Sequence, residues 1–116
     1  MRLVNLTDFT IRLYDAEGVK VVEEIPTDPP SVVAYSETVQ VSEDPLVVRR
    51  EYNVDADQLP EPEEGVMYIV GFAVLQALDQ MGVERTDLIA PDTTYESVVR
   101  NAATKRTEGV RRFRTL

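Results

Sequence analysis

The sequence predicts an α+β domain: a bent, mostly antiparallel or mixed sheet of about six to eight strands, with one main helix at about residues 71–82 packed on it. Three observations carry that expectation. Segments of period-2 alternation separated by turn residues recur through the first half of the chain. One long apolar stretch, Gly65 to Leu78, changes from strand-like to helical period at Gly71. The chain then closes on two β-rich segments around a basic loop. A length of 116 residues fits a single domain, 1–116, able to bury roughly 65% of its unfolded surface without a metal or disulfide.

Taken in order, Phe9, Ile11 and Leu13 alternate with Thr10, Arg12 and Tyr14, the pattern of a strand with one buried face, extending back toward Leu3. Asp15-Ala16-Glu17-Gly18 supplies a turn, and Val19 to Ile25 returns as the second arm of a hairpin. Pro26, Pro29 and Pro30 remove backbone donors, so the chain leaves the sheet there as an extended connector. Val32 to Val41 and Leu46 to Val54 read as two more strands joined at Ser42-Glu43-Asp44-Pro45. Neither side of the second is cleanly apolar, which marks an edge strand or one lying over the mouth of the sheet.

Asp55 to Glu64 is an acidic, proline-punctuated loop. Its D-x-D spacing lacks the glycine and the final acid of a calcium loop, since Pro60 and Val66 stand at those positions. The central strand follows, from Val66 to Val70. At 100° per residue, Ala73, Val74, Leu75, Ala77, Leu78 and Met81 of the next segment share an arc of roughly 200°, so a helix lies across the sheet with Val74, Leu75, Leu78 and Met81 in the core. Phe72 falls at the centre of the polar arc and either packs sideways or forms a contact surface. Gly82 ends the helix. Arg85 to Asp92 returns as a short strand, parallel or antiparallel to the central one. Ser97 to Ala103 and Gly109 to Leu116 form a terminal hairpin around Thr104-Lys105-Arg106-Thr107-Glu108.

Composition narrows the chemistry. With neither cysteine nor histidine, disulfides, thiolate catalysis, histidine-assisted nucleophiles and most zinc sites are excluded. No metal and no cofactor are expected. Met1-Arg2-Leu3-Val4-Asn5 lacks signal-peptide character and the longest uncharged run is too short to span a bilayer, so a cytoplasmic protein with no membrane role is expected. Asn5-Leu6-Thr7 matches the glycosylation pattern, without consequence in that compartment. The net charge of −9 divides unevenly: residues 1–92 hold 19 acids and 6 bases, residues 93–116 hold 2 acids and 6 bases. The basic end is expected to fold back on the acidic body rather than to bind nucleic acid, which would need a larger cationic face.

Three constellations are candidates for binding. Gly71 opens the helix, whose N-terminal amides and dipole favour a phosphate or carboxylate, although no phosphate-loop pattern surrounds it. Arg85 and Asp87 share a strand face, as an orienting pair or as a surface ion pair. Arg49 and Arg50, with Arg100, Arg111, Arg112 and Arg114, would grip an anion if clustered and would neutralise acids if scattered. Phe72, Arg111, Arg112 and Arg114 are candidates for an interaction surface.

Asn5-Leu6-Thr7, then Leu59-Pro60-x-Pro62-x-x-Gly65-x-x-Tyr68-Ile69-Val70, then Arg85-x-Asp87-Leu88 and Pro91-Asp92 together resemble a group of small bacterial and bacteriophage proteins with no known activity. The resemblance spans most of the chain. Members often carry Pro-His where this chain has Asp8 and Phe9, and serine where it has Gly71, which argues against an obligatory serine nucleophile there. The resemblance implies a genomic setting of phages and mobile elements. The expected function is a non-enzymatic binding or interaction protein, a homo-oligomer or the partner of another protein. The alternative is a protein that binds, or an enzyme that acts on, a nucleotide or other small anion through Gly71 and the strand arginines.

Overall fold

A computed structural model describes residues 1–116. Ten strands in three sheets and one main helix make an α+β fold with mixed and antiparallel pairing. The strands are β1 Arg2–Asn5, β2 Ile11–Tyr14, β3 Val21–Ile25, β4 Ala34–Glu43, β5 Leu46–Val54, β6 Val66–Ile69, β7 Leu88–Pro91, β8 Val98–Arg100, β9 Thr107–Val110 and β10 Phe113–Arg114. The helix, α1, is Phe72–Gln80. The first sheet has the order β1-β6-β7-β10, the second β3-β2-β9-β8, and β4 and β5 pair only with each other.

The apolar run of β6 is central because it is buried on both faces. Val66, Tyr68 and Val70 join Val74, Leu75, Ala77 and Leu78 of α1 in the larger core, while Ile69 points the other way, to Ile11, Ile25 and Val110 of the second sheet. A strand covered on both faces reads as continuous hydrophobicity. The return after α1 is parallel, with Tyr68 beside Leu88 and Ile69 beside Ile89, so β6-α1-β7 is a crossover unit and the antiparallel alternative falls. Gly82 adopts φ +76 at the turn that ends the helix, a conformation costly for any residue with a side chain.

Two expected strands are each divided between sheets, which raises the count to ten. The first segment does not run unbroken from Leu3 to Tyr14. Asn5, 1% exposed, donates through Nδ2 to the Phe9 and Ile25 carbonyls, both at 2.9 Å, and accepts through Oδ1 from the Thr7 N–H and hydroxyl. This knot carries the chain from the first sheet to the second, and it buries the asparagine of the glycosylation pattern. The last segment divides at Arg111 and Arg112, whose amides both donate to Ser97 Oγ. Beyond them β10 joins β7 in the first sheet.

Met81 is not core. It is 44% exposed, because the helix ends at Gln80 and Met81, its cap, overhangs the sheet toward a groove beside Arg49 to Asn53. The buried stripe is the narrower set Val74, Leu75, Ala77 and Leu78.

Candidate functional site

The start of α1 opens on the largest cleft, about 470 Å³, between the helix and the second sheet. Phe9, Ile11, Phe72, Pro91 and Val110 give it an apolar lining, with Arg12 and Glu108 at the rim. Gly71 lies in its wall with φ −65° and ψ 150°, and no side chain caps the helix. A Cβ at Gly71 would meet nothing within 4 Å, so the glycine answers no steric demand.

Of the arginines proposed to act with Gly71, Arg49 and Arg50 are not beside it. Arg49 and Arg50 lie on β5 next to Gln80 and Met81, at the opposite end of the helix, which is about 13 Å long for nine residues. Arg49 pairs with Glu51 at 2.9 Å and Arg50 donates to Ser36 Oγ at 3.1 Å, all at exposed positions or nearly so. The one arginine at the cleft rim, Arg12, lies 3.3 Å from Glu24.

Arg85 and Asp87 form a two-pronged pair at 2.8 and 2.7 Å, with side chains 16% and 14% exposed. Arg85 Nη2 also donates to the Pro60 carbonyl at 2.9 Å, and Tyr68 OH donates to the Glu61 carbonyl at 3.2 Å. These bonds fasten the acidic loop over the β6–β7 edge. The guanidinium holds the Asp87 carboxyl below its ordinary range, and Asp87 raises Arg85 in return. Through these bonds the pair holds the loop in place.

In the basic C-terminal segment Arg111, Arg112 and Arg114 contact the rest of the chain, while Lys105 and Arg106 of its loop are exposed. Arg112 Nε donates to Asp92 Oδ2 at 2.6 Å, and Nη2 reaches Glu96 at 3.3 Å. Asp92, 4% exposed, also accepts from the Thr94 N–H at 3.0 Å. Arg112 first, and then that amide, bring its carboxyl down to about 2. Arg111 lies across Gly18 and donates to the Glu96 carbonyl at 2.9 Å. The Arg114 guanidinium sits 4.0 Å from the centre of the Phe72 ring, a cation–π contact. Phe72, placed by periodicity on the polar arc, is half-buried beneath it.

No protein-family model, no curated protein and no solved structure matches this chain. No helix is long and apolar enough to cross a membrane. Function therefore has to be read from surfaces, and the most distinctive of these lies outside the residues singled out above. Beyond Arg49 and Arg50, which lie beside the end of the helix, the tip of the β4–β5 hairpin is exposed. Ala34, Tyr52 and Val54 anchor the hairpin to the larger core, whereas Val41, Leu46, Val47 and Val48 toward its tip are 45–68% exposed. The sequence carries the signal for this arm, a nine-residue strand, Leu46–Val54, with neither side cleanly apolar and its apolar residues gathered at Leu46, Val47 and Val48. A core strand would show one apolar side, and an ordinary exposed hairpin would show none.

Proposed function

We propose that this chain is a non-enzymatic interaction protein of the kind carried by phages and mobile elements, working in the cytoplasm of a bacterial host and binding through the β4–β5 arm. The observation that carries the reading is the arm itself: two strands of ten and nine residues, joined to no other strand, with apolar side chains toward solvent. An isolated two-stranded hairpin is marginal in water, and contiguous apolar surface on a small protein marks a contact site. The radius of gyration, 16.3 Å, exceeds the roughly 13 Å of a compact chain of this length, so the arm extends the molecule at the expense of compactness. The phage setting rests on the resemblance in the motif residues.

A nucleotide- or anion-binding reading draws support from the cleft at Gly71, whose volume suits a small ligand. Arg49 and Arg50, which were to supply its charge, lie at the other end of the helix, Arg114 is stacked on Phe72 in its wall, and Arg12 at its rim lies 3.3 Å from Glu24. Nucleic acid is not proposed as a partner, because Arg111, Arg112 and Arg114 are occupied within the chain. Native mass spectrometry of freshly purified protein tests the choice. The expected spectrum shows whole-number protein complexes without added small-molecule mass. A monomer carrying a stoichiometric small ligand would refute the interaction reading.

A further inference from the structure

We infer that the protein covering the arm presents an arginine or lysine between apolar side chains, and that this cation enters between Glu37 and Glu51 on the outer face of the arm. The inference rests on the interaction reading above and states the chemistry of the partner. The exposed surface is large enough to hold one. The chain exposes 7910 Å², against about 6,400 Å² for a monomeric protein of 13.1 kDa. The excess of about 1,500 Å² is more than one standard interface takes from each partner, about 800 Å².

Alternation defines the outer face. Ala34, Tyr52 and Val54 turn into the larger core, so their neighbours along each strand project from the opposite side. That side carries Tyr35, Glu37 and Val39 from β4 and Val47, Arg49 and Glu51 from β5, in a register that sets Glu37 opposite Glu51 and Val39 opposite Arg49. Tyr35 is 56% exposed and Val47 45%. The face is thus apolar at both ends with a pair of carboxylates between.

Charge selects the partner. Residues directly opposite on an antiparallel ladder have Cβ atoms about 5 Å apart, and like charges so placed are destabilising. Arg49 reaches Glu51 at 2.9 Å, while Arg50 turns to the other side of the ladder and donates to Ser36. Glu37 makes no ion pair. One base therefore serves two carboxylates, on a chain whose net charge is −9. A cation from outside offsets that repulsion. The Tyr35 ring, two residues along the same face, can take its stem or its charge, and Val39 and Val47 meet apolar neighbours toward the tip. The field that draws a basic surface repels nucleic acid and anionic membrane alike. A second copy of the chain brings the same negative charge, and its exposed Lys105 and Arg106 stand between Thr104 and Thr107, without an apolar flank.

The test uses the full chain, isotopically labelled for NMR, and a capped peptide, Leu-Thr-Arg-Thr-Val, whose alternate side chains match the spacing of Tyr35, Glu37 and Val39. Amide shifts are expected from Tyr35 to Val39 and from Val47 to Glu51. Binding should be about tenfold weaker when serine replaces the leucine and valine of the peptide, and absent when glutamate replaces its arginine. Glu37→Arg should abolish the shifts yet raise the melting temperature, because an opposite pair replaces a like one; a fall would overturn the repulsion on which the inference rests. No shifts at millimolar peptide, shifts elsewhere, or equal binding by the glutamate peptide or by Glu37→Arg would overturn the inference and leave the interaction reading standing. Broadening of the same amides without peptide, abolished by Lys105→Glu with Arg106→Glu, would make a second copy the occupant and overturn the basic partner. Failure of the interaction reading itself shows separately, as a monomer carrying a stoichiometric small ligand in native mass spectrometry.

Discussion

Leu78→Ala and Met81→Ala separate two placements of the helix that differ only in how far the sheet extends beneath it. At 100° per residue both side chains fall within one apolar arc, yet Leu78 is 3% exposed and Met81 44% exposed. Truncating a buried leucine removes transfer energy and leaves a cavity, together about 2–5 kcal/mol. Unfolding entropy near 2.1 cal/mol/K per residue gives about 0.24 kcal/mol/K for 116 residues, so Leu78→Ala should lower Tm by about 8–20 °C. Met81→Ala leaves no enclosed cavity and should cost under about 1 kcal/mol, a shift below about 4 °C. Calorimetric melts at neutral pH, supported by urea midpoints at constant m, make the measurement. Equal shifts, or a larger one at Met81, would mean that the last turn of the helix is buried and that the overhang described here is wrong.

Three further outcomes follow from the geometry. Gly109→Ala should lower stability by about 1–3 kcal/mol, since its Cβ would lie 2.4 Å from the Arg12 carbonyl oxygen, a backbone atom held in the β2–β9 pairing, whereas Gly71→Ala should be neutral to mildly stabilising; urea titrations of the two variants would compare them. Arg85→Ala should cost about 1–3 kcal/mol through the lost charged hydrogen bonds and should speed amide exchange in residues 60–64, because the guanidinium also holds the Pro60 carbonyl; unchanged exchange would show that the loop is held otherwise. Asp92 has a folded pKa near 2, below the unfolded value of about 3.9, so its contribution is fully present above about pH 4 and fades as pH falls toward 2. Asp92→Asn should flatten that part of the stability profile, and an unchanged acid limb would assign it to other carboxylates.

Most of the architecture was legible because it rests on local chemistry. Gly18 in the first hairpin, Gly82 after the helix and the change of period at Gly71 each fix a boundary through backbone conformation or side-chain spacing, and each stands in the structure at φ +71, φ +76 and an extended N-cap respectively. The changes of sheet were not legible. A strand that leaves one sheet and resumes in another keeps its alternating pattern, and only the side chains of Asn5 and Ser97, bonding to backbone far along the chain, reveal the break. The distance of Arg49 and Arg50 from Gly71 was not legible for a related reason. Arg49 and Arg50 lie well inside a strand of favourable sequence, but nothing local states that the helix end they reach is the C-terminal one. Phe72 and Arg114 did come together, through a pairing of β10 with β7 that spans the whole terminal hairpin.

Several residues far apart in the chain hold the scaffold together. Asn5 and Thr7 tie the chain as it changes sheets. Leu59 is buried in the larger core, and the Pro60 and Glu61 carbonyls accept from Arg85 and Tyr68. Gly65 turns at φ +76, Arg85 and Asp87 close on each other, and Asp92 anchors Arg112. The segment from Ala34 to Val54 contains none of these residues and forms the arm, whose tip is exposed.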